Sequence, residues 1–236
     1  MGADLDEVER PLVEYHSLTD YFVRRLRPGV RPIVASPNEL PSPVDGRVQS
    51  VERIAHGGQA LQAKGQSYSV AELLGERAPA DLAGWWSWIC YLSPRDYHRI
   101  HSPFDGELAH VEWVEGERLS VAPRVLARVP RVFTRNARVV LEIATQHGPV
   151  FMVLVGALNV SRIRLEGLSI GATAGLPART YRRGDEVGRF ELGSTVILVT
   201  PPSAWEPREG LQPGADLRYG APIGVLSSTA GQERPA

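Results

Sequence analysis

The chain has 236 residues, 43% of them hydrophobic and 22% charged, with a formal net charge of -1. That size supports one large domain or two small ones around a substantial core, and the near-neutral charge argues against a nucleic-acid binder. The single cysteine, Cys90, excludes an internal disulfide framework and a multi-cysteine zinc site; it lies in the apolar run Trp88-Ile89-Cys90-Tyr91-Leu92, where a buried thiol is expected.

No apolar run approaches the roughly 20 residues needed to span a bilayer. Met1 to Arg10 is acidic and lacks a signal-peptide pattern. The expected location is the cytosol or the cytoplasmic side of the cell membrane, bound peripherally.

Residues 1–16 read as a flexible extension. Ser17-Leu18-Thr19-Asp20 has the form of a capping box and predicts a helix through Tyr21, Phe22, Val23 and Leu26, ended by Pro28-Gly29. Arg24, Arg25 and Arg27 come close behind the aromatic residues. Such a helix either lies on an anionic membrane or packs its apolar face on the core and leaves its arginines outside.

Residues 41–113 contain an internal echo: Ser42-Pro43-Val44-Asp45-Gly46-Arg47-Val48 returns as Ser102-Pro103-Phe104-Asp105-Gly106-Glu107-Leu108. Each copy is turn chemistry feeding an alternating strand. The turns resemble hairpins of lipoyl- and biotinyl-carrier domains. A mainly β, α+β fold is therefore expected: a flattened β-barrel or sandwich (barrel-sandwich-hybrid-like) of short antiparallel strands with a few short helices, built from two related halves.

Ser69-Val70-Ala71-Glu72 caps a second short helix ending near Gly75, and Trp85 to Leu92 reads as an apolar strand. Val139 to Ala144, a turn at His147-Gly148-Pro149, and Val150 to Val160 form a hairpin pattern. Arg162 to Leu168 is a further strand, residues 171–186 a loop, and Ile223 to Leu226 the last strand. No linker composition divides residues 17–226, which read as one domain with a polar tail, 227–236, after it.

Gly188 to Leu198 reads as two β segments meeting at Gly193-Ser194. Glycine inside a strand pattern marks a bend or a close backbone approach. A serine there has its hydroxyl beside the carbonyl of an unshielded glycine; an ordinary β-bulge is the plainer alternative. His98 and His101 lie three apart. A zinc pair would need ligands beyond Asp96 and Asp45, and no common set is completed, so no metal is expected. Acid–base work suits two imidazoles better. Ser194, His101 and Asp45 could serve as nucleophile, base and orienting carboxylate, but spacing alone does not bring them together.

The segment Arg183-Gly184-Asp185-Glu186-Val187-Gly188-Arg189-Phe190-Glu191-Leu192-Gly193-Ser194-Thr195 resembles the self-processing motif of the bacterial phosphatidylserine decarboxylase family. A Pro-x-Asp-Gly turn at 43–46 and Asp-Tyr-His-Arg-x-His at 96–101 stand in the family's order. Tyr21-Phe22-Val23-Arg24, Arg31-Pro32-Ile33, Gln62-Ala63-Lys64-Gly65 and Val155-Gly156-Ala157 support the likeness, which covers about residues 17–226.

The resemblance implies self-cleavage between Gly193 and Ser194 into a large and a small chain, with Ser194 converted to a pyruvoyl group. That covalent group would form a Schiff base with phosphatidylserine and act as electron sink, without pyridoxal phosphate. Asp45 and His101 would assist self-cleavage and His98 the decarboxylation. The implied partners are phosphatidylserine in the membrane, the peripheral membrane surface, the two chains of one precursor, and a second copy if the enzyme is a homodimer; nucleic acid is not among them. A pyruvoyl enzyme acting on another serine phospholipid or an amino acid is the alternative. A non-catalytic carrier module would need an exposed, modified lysine, for which Lys64 is a poor match.

Overall fold

The short β-branched runs between Gly and Pro turns fold as antiparallel strands because their alternating side chains fill one face of a sheet. The computed structural model describes residues 4–34, 36–63, 65–157, 163–172, 178–191 and 194–227. Lys64, Gly193 and the segment 228–236 therefore lie outside the described residues.

The principal element is a curled sheet of eight strands. Its order is β11 (Thr180–Tyr181), β7 (Gly106–Val114), β8 (Arg138–Thr145), β9 (Gly148–Val155), β13 (Ser194–Thr200), β5 (Trp86–Leu92), β2 (Gly46–Arg53) and β15 (Asp216–Leu217). The hairpin of β3 (Gln59–Ala63) and β4 (Gln66–Ser69) and two three-stranded sheets accompany it. One is β1 (Glu39–Pro41), β16 (Pro222–Leu226) and β14 (Trp205–Pro207); the other is β6 (Arg99–His101), β12 (Glu186–Phe190) and β10 (Ile163–Leu165). This is the expected mainly β, flattened-barrel architecture with few short helices. Leu141, Val153, Ile197 and Ile89, on four strands of this sheet, are fully buried, and so is Cys90, whose thiol burial pushes up to about 12.

The internal echo is a structural duplication. The eight-stranded order is palindromic, pairing β11 with β15, β7 with β2, β8 with β5 and β9 with β13. Ser42 and Ser102 make the same turn, donating to Val44 O at 2.7 Å and Phe104 O at 2.8 Å. Ser42 exchanges backbone bonds with Gly220 and Ala221, and Ser102 with Gly184 and Asp185. The Asp45 carboxylate accepts the Tyr219 N–H at 2.8 Å, as Asp105 accepts that of Arg183 at 2.9 Å.

The second half, β6 to β12, is continuous and is inserted into the first, between β5 and β13. In the second half, β8 and β9 join through the tight turn Gln146-His147, with Thr145 opposite Gly148. The first half has Leu92 opposite Ser194 at the same place. Ser194 thus begins the strand where the inserted half rejoins the first.

Two local expectations are corrected. Helix α1 spans only Leu18–Phe22, although Ser17 Oγ caps the Asp20 N–H at 3.0 Å as the capping box predicts. The Val23 carbonyl that a longer helix would pair with Arg27 accepts instead from the Arg99 guanidinium, which also reaches Arg24 O; Arg27 gives its N–H to Glu7 O, and Leu26 bridges Val8. Residues 180–181, expected in a loop, form β11 because they repeat the pairing of β15. Residues 4–16 contain two 3-10 turns, bury Val8 and bond back to Arg25 and Arg27. The helix capped by Ser69 is present as α2 (Val70–Leu74), closed by Gly75 at φ 71°.

Strand β7 crosses β8 so closely at Gly106 that an added Cβ would lie 2.5 Å from Ala144 O and 2.8 Å from an Ile143 methyl carbon. Gly106→Ala should lower stability by about 2 kcal/mol through overpacking. The urea midpoint reads this directly, and an unchanged midpoint would show that the strands separate without cost.

Candidate functional site

Strand β13 places Ser194 at one end of the sheet, fully buried between neighbouring strands. Among the described residues its Oγ has no hydrogen-bond partner, and neither does the Thr195 hydroxyl. A buried hydroxyl left unpaired costs about 1–3 kcal/mol, so two in succession mark a place where packing does not serve stability alone. Phe190 donates its N–H to His98 O at 3.1 Å. Phe190 and Ser194 are therefore pinned to opposite ends of the turn between Leu92 and His98.

That turn is closed by Asp96, whose Oδ2 accepts both the N–H and the hydroxyl of Ser93 at 2.7 Å. It presents His98 inward. His98 Nδ1 lies 2.9 Å from the Asp96 carbonyl, which can only accept, so Nδ1 carries the proton and Nε2 a lone pair. Nε2 is buried without a partner among the described residues, and the Phe22 ring covers the imidazole at 3.9 Å. Burial, with the Arg24 charge adding to it, pushes His98 down to about 3 despite the Asp96 bond.

His101 leaves strand β6 in a different setting. Its Nδ1 donates to Gly184 O at 2.8 Å, and its Nε2 accepts from the Tyr97 hydroxyl at 3.0 Å. The Tyr219 ring stacks on it at 3.7 Å, while the Tyr219 hydroxyl donates to the same Gly184 carbonyl at 2.9 Å. Burial lowers the His101 pKa, opposed by the bond to Gly184. Both histidines are neutral at pH 7, and each offers Nε2 as the basic atom.

Asp45 is held by Arg31, whose Nε and Nη2 reach its two oxygens at 3.1 and 2.7 Å. Arg31 also grips Glu7 at 2.6–2.8 Å. Burial opposes the Arg31 charge, but the two carboxylates outweigh it and raise its pKa. Among the described residues the contacts between Asp45 and His101 run through Tyr219, which gives its N–H to the carboxylate and its ring face to the imidazole, while the Asp45 charge also favours the protonated ring. Among the described residues no hydrogen bond joins Asp45, His101 and Ser194 directly.

The residues that sequence reasoning passed over are those holding the histidines: Tyr97, Gly184, Tyr219, Arg31 and Phe22. Tyr97 lay inside the Asp-Tyr-His-Arg-x-His segment and Arg31 inside Arg31-Pro32-Ile33. Tyr219 carried one usable signal, since the Ser-Pro-x-Asp-Gly echo requires a second strand return matching Arg182 to Asp185. The alternative of a membrane-facing Phe22 is corrected: Tyr21 and Phe22 are buried, and the guanidinium of Arg24 is turned inward to Arg95 O and Asp96 O at 2.9 and 3.1 Å. Among the described residues no three His, Cys, Asp or Glu side chains gather to hold a metal ion.

The neutral histidines set an acid limit. Below about pH 6.5 the unfolded chain protonates both imidazoles, whereas native His98 stays neutral down to about 3. The unfolded state then binds more protons, so stability must fall with pH through this window, by up to about 1.4 kcal/mol per pH unit for His98. Urea midpoints from pH 7 to 4 should show this slope, and His98→Gln should flatten it. An equal slope in the variant would mean that native His98 titrates normally.

A family model described as phosphatidylserine decarboxylase matches residues 18–225. The phosphatidylserine decarboxylase proenzyme of Hahella chejuensis is 40% identical over 241 residues, covering 97% of this chain and 81% of that protein. The proenzyme of Myxococcus xanthus is 39% identical, covering 96% of this chain and 84% of that protein. That of Coxiella burnetii is 36% identical over 96% of this chain and 84% of its own length. The matched span runs from the helix that covers His98 to the last strand of the β1-β16-β14 sheet, taking in every residue that holds the two histidines; the chain belongs to the phosphatidylserine decarboxylase family.

Proposed function

We propose that the chain cleaves itself between Gly193 and Ser194 and then converts phosphatidylserine to phosphatidylethanolamine and CO2. The observation that carries this reading is the buried Ser194 hydroxyl, without a partner among the described residues, at the start of the central strand directly after Gly193. Position 194 suits a pyruvoyl group, because a small ketone there replaces a hydroxyl that no described neighbour needs.

In self-cleavage, Ser194 Oγ attacks the Gly193 carbonyl while its proton passes to a base, and the peptide bond becomes an ester. His101 Nε2 is the base in this reading, and the Tyr97 hydroxyl must yield its place for the proton to arrive. Gly184 and Tyr219 keep the ring in the correct tautomer, and Asp45 with Arg31 holds Tyr219. Loss of the Ser194 α-proton expels the Gly193 carboxylate and leaves a dehydroalanine. Water then replaces its nitrogen, releasing ammonia and leaving a ketone.

The pyruvoyl group supplies a carbonyl that withdraws electrons as CO2 leaves the substrate. His98 handles the proton at Nε2 in that step. Its neutral, Phe22-covered ring keeps water from the reacting carbon and puts no fixed charge against it.

Wild-type protein should run as two chains with a pyruvoyl mass on the fragment beginning at 194. Ser194→Ala should remain one inactive chain, and His101→Ala should accumulate precursor. His98→Ala should cleave yet turn over at least about a hundredfold more slowly, as expected for loss of a proton-transfer group. Decarboxylation by an uncleaved wild-type chain would overturn the reading.

The membrane contact belongs to the same proposal. Among the described residues no helix is long and apolar enough to cross a bilayer. Leu12, Val13 and Leu18 are 54%, 92% and 57% exposed, on the segment whose Phe22 covers His98. These residues enter the interface on the cytoplasmic side of the membrane, with exposed Arg25 and Arg27 at the headgroups. The Leu12/Val13/Leu18→Gln triple variant should bind anionic vesicles about tenfold more weakly in sedimentation, the loss expected from removing a few partly buried aliphatic contacts. Unchanged binding would move the contact elsewhere.

A further inference from the structure

An opening lies at the Ser194 end of the sheet, on the β9 side. It is a pocket of about 110 Å³ lined by Trp113, Arg118, Gly156, Ile163 and Ile170 among others. Gly156 comes directly after Val155, the register partner of Thr195, and so stands beside Ser194. Ile163 is paired with Phe190, whose N–H bonds to His98 O. Two lining residues, Gly156 and Ile163, are thus one step removed from Ser194 and from the segment that holds His98.

Arg118 is exposed at this pocket and, among the described residues, has no hydrogen-bond or ion-pair partner. The arginines packed around the histidines are engaged: Arg24 by carbonyls, Arg31 by Glu7 and Asp45, Arg99 by Glu186. The freedom of Arg118 is confined to its head, because its backbone strap is fixed. The fully buried Asn136 side chain accepts the Leu119 N–H at 2.9 Å and donates to Leu119 O and Gly156 O, each at 2.8 Å. Glu117, the residue before Arg118, pairs with Arg135 at 2.9 Å. One buried amide thus ties the strap carrying Arg118 to the glycine beside Ser194.

We propose that this pocket receives the substrate headgroup and that Arg118 pairs with its phosphate, leaving the amine and carboxylate of the serine to reach position 194. The assignment rests on the decarboxylase reading. Phosphate is favoured over carboxylate by the reaction itself. A cation on the carboxylate would stabilise the ground state and lose its partner as CO2 departs, raising the barrier. The phosphate charge is the same in substrate, transition state and product, so binding it does not oppose the chemistry. A guanidinium also matches phosphate geometry better than an ammonium does.

The test uses the processed enzyme with dihexanoyl phosphatidylserine as substrate and dihexanoyl phosphatidylethanolamine as inhibitor, both below micelle formation. Arg118→Gln should process to two chains, raise KM about tenfold, and keep kcat within about twofold. The inhibition constant of the phosphatidylethanolamine, which keeps the phosphate but lacks the carboxylate, should rise by the same factor. Arg118→Lys should fall between the two. A raised KM with unchanged inhibition would assign Arg118 to the carboxylate and overturn the proposal, as would no change in either constant. Calorimetric titration with the phosphatidylethanolamine reads the contact without turnover. Wild type that binds this lipid through Arg118 but decarboxylates no phosphatidylserine would refute the activity and leave the phosphate contact standing.

Discussion

Strand β13 is hydrogen-bonded along both edges, to β5 and to β9, and each of its seven residues is buried. The rest of the molecule depends on that strand. Its burial provides the surplus of apolar contact that tolerates, at its first two positions, two hydroxyls without a partner among the described residues. It also governs the outcome of a break before Ser194. The small chain would keep the pairings of β13 with β5 and β9 and of β16 with β1, so a cut backbone need not mean a separated protein.

The duplication explains why the strand begins where it does. One half is threaded into the other at a hairpin, and what would have been a two-residue turn is replaced by an entire repeat. The closed copy of that hairpin survives as Gln146-His147. The equivalent turns have diverged in use. Asp105 binds Arg183 through both its backbone N–H and its guanidinium. Asp45 instead binds Tyr219 and Arg31, and Tyr219 carries the ring that supports His101. The same backbone frame thus forms an ion pair in one half and a stack that holds His101 in the other.

The N-terminal segment completes this end of the sheet. Arg99, paired with Glu186 at 2.6 Å, binds the Val23 and Arg24 carbonyls just past the end of helix α1. Phe22, the last residue of α1, lies on His98, and Glu7 pairs with Arg31. A segment with exposed aliphatic residues is in this way packed directly over the most desolvated histidine, coupling the outer surface to the interior of the site.

Much of the chain was legible without coordinates, because the signals were short-range. Strand alternation, the Ser17 and Ser69 caps, the Asp-Gly turns and the interrupted strand at Gly193-Ser194 each depend on neighbours a few residues away. The repeated Ser-Pro-x-Asp-Gly segment foretold two related halves, and the assembled motifs foretold the family. What tertiary structure decided is how the histidines are held. Gly184 meets His101, Tyr219 meets Asp45 and Phe22 meets His98 only because one half of the chain is inserted in the other. Contacts between positions so far apart leave no periodicity in the sequence. The end of α1 likewise meets distant partners: the Val23 carbonyl bonds Arg99 and the Arg27 N–H bonds Glu7, where local propensity alone would have continued the helix.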